Sequence, residues 1–134
     1  MTKKMRDIMS AAPVCMAPGE SALAAADAMK RHATGTVLVQ AGGRFRGLVT
    51  DRDIAVQVLA ENRDPRTTRI GDIRGGEVIA LGPDDDLDQA RRLVLEHAVR
   101  RIPVLDHGAP VGVVSAADLA LEADAVPCAW SARS

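Results

Sequence analysis

Two short runs carry the residue types that chemistry needs. Gly47-Leu48-Val49-Thr50-Asp51-Arg52-Asp53 and Gly112-Val113-Val114-Ser115-Ala116-Ala117-Asp118 share one pattern: a glycine, two apolar residues, a hydroxyl and, three positions on, a carboxylate. The apolar residues read as the end of a strand and the hydroxyl as the start of a helix. A helix start offers unpaired N–H groups and a partial positive charge, which suit a phosphate. Thr50 or Ser115 can donate to a phosphate oxygen. Asp53 or Asp118, in the first helical turn, can accept from two vicinal ribose hydroxyls, as carboxylates do in other nucleotide sites. The same residues have a plainer use, with Thr50 and Ser115 as N-caps and Asp53 and Asp118 as their capping-box acids. Both roles stay open on the sequence.

The elements that must hold these runs appear when the chain is slid by 65 positions, which aligns its halves without a gap. Asp7/Asp72, Ile8/Ile73, Pro18/Pro83, His32/His97, Gly47/Gly112, Val49/Val114 and Asp53/Asp118 are among the identities, and Thr50/Ser115 and Val37/Ile102 are conservative pairs. Each half reads as β-α-β-β-α. An extended stretch (Val14–Met16, Val78–Leu81) leads to a helix-starting residue, Ser21 or Asp86, the latter with Gln89 three places on as in a capping box. Apolar positions at Ala22, Ala25, Ala26 and Met29, and at Leu87, Ala90 and Val94, are spaced for one helix face on a sheet. Two strands follow in each half, Thr36–Val39 with Phe45–Thr50 and Ile102–Leu105 with Pro110–Ser115. Gly42-Gly43 and His107-Gly108 turn them. Last helices run over Asp51 to about Glu61 and Ala116 to about Ala125. The expected division is residues 5–61, a linker at 62–70, residues 71–125 and a tail at 126–134. A three-stranded sheet with one helical layer has an open face, so the two halves are expected to pack sheet to sheet in an α+β fold.

Composition narrows the function. A formal charge of −1 and only two aromatic residues, Phe45 and Trp130, argue against a nucleic-acid partner. No run approaches the ~20 apolar residues of a membrane span, and the basic N-terminus lacks the apolar core of a secretory signal, so a cytoplasmic protein is expected. No nucleophile elbow, P-loop or dinucleotide-binding fingerprint is present, and an enzyme is not expected. His32 and His97 near helix ends read as caps, and three histidines with Cys15 and Cys128 show no metal-ligand spacing.

The repeat, the G-h-h-[TS]-x-x-D runs and the segment His97-Ala98-Val99-Arg100-Arg101-Ile102-Pro103-Val104-Leu105 together resemble a CBS domain pair, or Bateman module, over about residues 5 to 125. Thr50-Asp51-Arg52-Asp53-Ile54 and the terminal cysteines look like the stand-alone two-CBS proteins of the hypoxic-response type. The resemblance implies a regulatory module, with no required cofactor, that takes AMP, ATP or S-adenosylmethionine in clefts between paired sheets. It signals through self-association, as a homodimer, or through an unknown protein partner. Carried over, Asp53 and Asp118 would hold ribose and Thr50 and Ser115 phosphate. The backbone at Thr36-Val37 and Arg101-Ile102 would meet adenine, and Val14 and Ile79 would wall the clefts. Arg52, Arg100 and Arg101 are candidate phosphate partners. The alternative is a ligand-free stress-response or scaffold protein. The first half departs from the pattern in lacking the Arg-Arg-Ile-Pro segment, and the second in having Ala116-Ala117 for Asp51-Arg52. The resemblance also brings the first strand near the chain end, so a Cys15–Cys128 disulfide and two inert thiols both stay open.

Overall fold

The computed structural model describes residues 3–11, 13–73 and 78–121. In chain order they form α1 (Met5–Ile8), β1 (Ser10–Ala11), β2 (Cys15–Met16), α2 (Ala22–His32), β3 (Thr36–Ala41), β4 (Arg44–Thr50) and α3 (Asp51–Ile54). A π-helical turn over Ala55–Leu59 and a 3₁₀ turn over Ile70–Asp72 follow, then α4 (Leu87–His97), β5 (Arg101–Asp106), β6 (Ala109–Ser115) and α5 (Ala116–Leu121). The chain divides into two compact units. Among the described residues, one holds 13–73 with 78 and 108–110, and the other unites 3–11 with 79–107 and 111–121.

The unit around residues 13–73 is a sheet of order β2-β3-β4, with β2 parallel and β4 antiparallel to β3. α2 starts where Ser21 Oγ accepts from the Ala24 amide at 3.0 Å and ends at Ala33, whose left-handed φ of 51° turns the chain out. Its apolar positions recur every three or four residues, so Ala22, Ala25, Ala28 and Met29 bury one face among Val37, Val39, Val49, Ile54 and Val58. Alanines let the helix lie close to the sheet. Val37, Leu38 and Val39 are all buried, so both faces of β3 are covered. The β3–β4 turn uses Gly42 and Gly43 at φ +60° and +76°, the pair of positive φ values a two-residue hairpin needs.

The other unit repeats the scheme with the sheet order β1-β6-β5 and a core of Met5, Leu81, Leu87, Ala90, Ile102, Val104, Val114 and Leu119. His107 and Gly108 supply its turn at φ 52° and 86°. Three expectations are corrected. The stretch Val78–Leu81 makes only a single bridge, Leu81 to Val104. Asp86 precedes α4 but makes no side-chain cap, and its Oδ1 accepts from Lys4 Nζ at 3.2 Å. The helix from Asp51 becomes π-helical after one turn.

The units do not follow the repeat boundary. The lead-in to the first half packs in the core of the second, and the lead-in to the second packs in the first. Met5, fully buried, fills the second core, its amide donating to Asp85 O and that of Arg6 to Pro83 O, each at 2.9 Å. Ser10 and Ala11 pair with Val113 and Gly112 of β6. Sixty-five residues later the pattern recurs: Ile70, 1% exposed, fills the first core, and the amides of Ile70 and Gly71 donate to Glu20 O and Pro18 O at 2.9 Å. The N-terminal lead-in adds two charge pairs, Arg6–Asp84 at 2.6 Å and Lys4–Asp86 at 3.2 Å.

Candidate functional site

In both halves the strand-to-helix corner is built alike. Thr50 Oγ1 accepts from the Asp53 amide at 3.1 Å while Asp53 Oδ2 accepts from the Thr50 amide at 2.9 Å. Ser115 and Asp118 repeat this reciprocal pair at 3.0 Å in both directions. The first amide of each helix is taken as well: Asp51 N–H donates to Gly35 O and Ala116 N–H to Arg100 O, each at 2.9 Å. That bond ties the helix start to the residue ahead of the neighbouring strand. Each corner is thereby a closed ring of backbone and side chain, with its acid half-buried.

The expectation of unpaired amides for phosphate is therefore corrected for the first corner. The first and third amides of α3 are bonded as above, and the second, of Arg52, donates to Asp51 Oδ1 at 2.8 Å. Asp51 also stands over Gly35, where a Cβ would come within 3.0 Å of its Oδ2. A carboxylate thus occupies the place where an anion would sit, and Coulomb repulsion disfavours phosphate there. The second corner has Ala116 at that position, with no charge. Sequence reading noted this Asp/Ala difference but did not see its consequence, because only the fold aims Asp51 back across the corner.

Of the other candidates, Thr36 lies opposite Thr50 and Val37 opposite Val49 in the β3–β4 register, so the structure brings them to the first corner. Thr36 is buried, and its Oγ1 has no hydrogen-bond partner. Val14 joins them through its carbonyl, which accepts from Leu38 N–H at 2.8 Å, while its side chain packs on the first core. Arg52 is exposed. In the second half Arg100 is exposed, Arg101 is half-buried with Nη1 donating to Arg100 O at 3.3 Å, and Ile102 faces the core. Ile79 is half-buried two residues before the Leu81 bridge.

His32 and His97 stand in the last turns of α2 and α4. Cys15 is half-buried, which pushes its thiol above the ordinary range; Cys128 lies outside the described residues, and with it the disulfide question. Among the described residues no three His, Cys, Asp or Glu side chains gather as a metal site, and no helix is long and apolar enough to cross a membrane.

Comparisons with known proteins identify both halves. The CBS domain family matches residues 5–59 and again 70–124. Hypoxic response protein 1 of Mycobacterium tuberculosis is 34% identical over 116 residues, 86% of this chain and 81% of that protein. A crystal structure of Hypoxic Response Protein I with two coordinated zinc ions superposes with a TM-score of 0.78 at 32% identity, covering 90% of this chain and 99% of that one. The described residues offer no ligand cluster to match those ions. The CBS domain pair of protein MJ0100, solved with 5′-methylthioadenosine and S-adenosyl-L-methionine, shares the fold at a TM-score of 0.80 and 24% identity, over 90% of this chain and 95% of that one. With both of its halves matched, and with a relative above 30% identity along most of its length, this chain belongs to the CBS domain family and is a tandem pair of CBS domains, a regulatory module.

Proposed function

We propose that the chain is a sensor of adenosine-type nucleotides, and that the second corner is its principal site. The observation that carries this reading is the duplicated corner, where Asp53 and Asp118 stand half-buried with one carboxylate oxygen, Oδ2, committed to a backbone amide. A carboxylate offers two oxygens, so each acid can cap its helix and still accept from a ribose hydroxyl. Charge favours the second corner for any phosphate: Arg100 and Arg101 flank it, and Ala116 replaces the carboxylate that Asp51 puts in the first. The solved CBS pair that holds two adenosine compounds shares this fold, which supports the ligand class.

Signalling would pass through self-association. Leu23, Val56 and Leu59 on the helices of one unit, and Leu95 and Leu121 on those of the other, are 49–79% exposed, apolar surface on each unit that suits a homodimer. A ligand moves such an equilibrium only by its differential affinity for the two states. Calorimetric titration with AMP, ATP and S-adenosylmethionine tests the proposal. Saturable binding is expected, weakened at least tenfold in Asp118→Ala and less in Asp53→Ala. The second reading is a ligand-free scaffold or stress-response protein, favoured by the completeness of both capping boxes. Absence of heat with all three ligands would establish it.

A further inference from the structure

We propose that Met9 is an oxidation switch: conversion of its thioether to the sulfoxide by hydrogen peroxide detaches the N-terminal lead-in from β6. The described methionines are Met5, Met9, Met16 and Met29. Met5, Met16 and Met29 are buried, at 0%, 8% and 7% exposure, whereas Met9 is half-buried. Susceptibility to oxidation follows exposure, so peroxide reaches Met9 ahead of the other three. Its side chain lies over a glycine: a Cβ on Gly112 would stand 2.5 Å from Met9 Sδ, 2.8 Å from its Cγ and 3.0 Å from its Cβ. The thioether thus fills the room that a side chain at 112 would need, and it packs against the core of Met5, Ile102, Val104 and Val114.

Met9 also joins the two parts of the lead-in. Its amide donates to Met5 O at 3.0 Å, and the next two residues, Ser10 and Ala11, pair with Val113 and Gly112. A strand of two residues has few bonds of its own, so the seat of Met9 on Gly112 helps to hold it. In the oxidation a lone pair on Sδ attacks one peroxide oxygen, and the S–O bond forms as the O–O bond breaks. The departing hydroxide takes the remaining peroxide proton and leaves as water. Sulfur loses two electrons and peroxide gains them. The sulfoxide is polar where the thioether was apolar. Gly112 has no side chain to donate to the new oxygen, and the surrounding core is apolar, so keeping that oxygen inside carries the cost of an unpaired polar group. The added atom also overfills a seat that lies directly against backbone. Turning the oxygen to water relieves both, and it lifts Met9 and β1 off β6.

The test treats the full chain with hydrogen peroxide and then with dithiothreitol, which reverses cysteine sulfenate and disulfide but leaves methionine sulfoxide. Peptide mass spectrometry should find the added oxygen at Met9 about tenfold sooner than at Met5, Met16 or Met29. The oxidised protein should unfold at lower urea concentration, with its unfolding constant raised about tenfold. Deuterium exchange should quicken at residues 9–11 and 111–113. Met9→Leu, apolar and without sulfur, should keep its urea midpoint through the same treatment. Methionine sulfoxide reductases should return the oxidised native protein to its starting midpoint. Oxidation of Met9 no faster than that of the three buried methionines overturns the proposal, as does a Met9-oxidised protein with native midpoint and exchange. If Met9→Leu misfolds, the reductases decide alone: a midpoint that stays low once mass spectrometry shows Met9 reduced overturns it.

Discussion

The crossed lead-ins make a quantitative demand on Met5. Its side chain is fully buried among Leu81, Leu87, Ile102, Val104 and Leu119, although it sits 76 residues ahead of the nearest of them in the chain. Met5→Ala removes three heavy atoms beyond Cβ. At about 0.8 kcal/mol for each methylene-sized group, the lost transfer energy is roughly 2.4 kcal/mol. The cavity left behind adds to this, for a total of about 3 kcal/mol, within the roughly 2–5 kcal/mol span of buried Met→Ala changes. Urea unfolding followed by circular dichroism measures it, with Arg92→Ala, exposed on α4, as the control expected to change stability by less than about 0.5 kcal/mol. Ile70→Ala, at the matching place in the other unit, should cost a similar amount to Met5→Ala. A loss below about 1 kcal/mol for Met5→Ala would mean that the N-terminal segment does not plug the second core, and the account of exchanged lead-ins would fall.

Ala33 and Ala98 end their helices in left-handed conformation, at φ 51° and 53°, where a Cβ is strained. Ala33→Gly and Ala98→Gly should each raise stability by up to about 1 kcal/mol in the same urea assay. Asp64, on the surface, has its carboxyl held below the ordinary carboxylate range by hydrogen bonds from the Arg66 side chain and backbone. A carboxyl lowered on folding contributes above its unfolded value and loses that contribution as pH falls through its folded one. A carbon-detected NMR titration should therefore place the Asp64 midpoint below that of a model peptide, and Arg66→Ala should raise it toward that value. Burial raises the Cys15 thiol, so alkylation by iodoacetamide at neutral pH should run slower than with free cysteine and accelerate on going to higher pH. Equal rates would contradict its half-buried placement.

Local features were legible in the sequence wherever one short segment decides the outcome. Gly42-Gly43 and His107-Gly108 turn the hairpins because their positive φ values are a property of two residues. Ser21 caps α2, and the reciprocal bonds of Thr50 with Asp53 follow from three-residue spacing. What escaped depends on distant groups. Asp86 has the sequence of a cap, but its side chain bonds no helix amide and its Oδ1 instead meets Lys4, remote in the chain. The Asp7-Ile8 and Asp72-Ile73 identities marked a repeat without saying that each lead-in serves the opposite half. The helix-start amides looked available because Gly35 O and Arg100 O reach them only once the strands are in place.

The exchange of lead-ins has a consequence for how such a chain can be divided or inherited. A cut in the loop near Pro65 would yield two fragments, each carrying the plug its sibling needs and lacking its own. Neither piece should hold its core alone, yet mixing them should regenerate the whole by complementation. A single-repeat ancestor would have met the same requirement by lending its first residues to a twin, so that gene fusion merely joined two partners already dependent on each other.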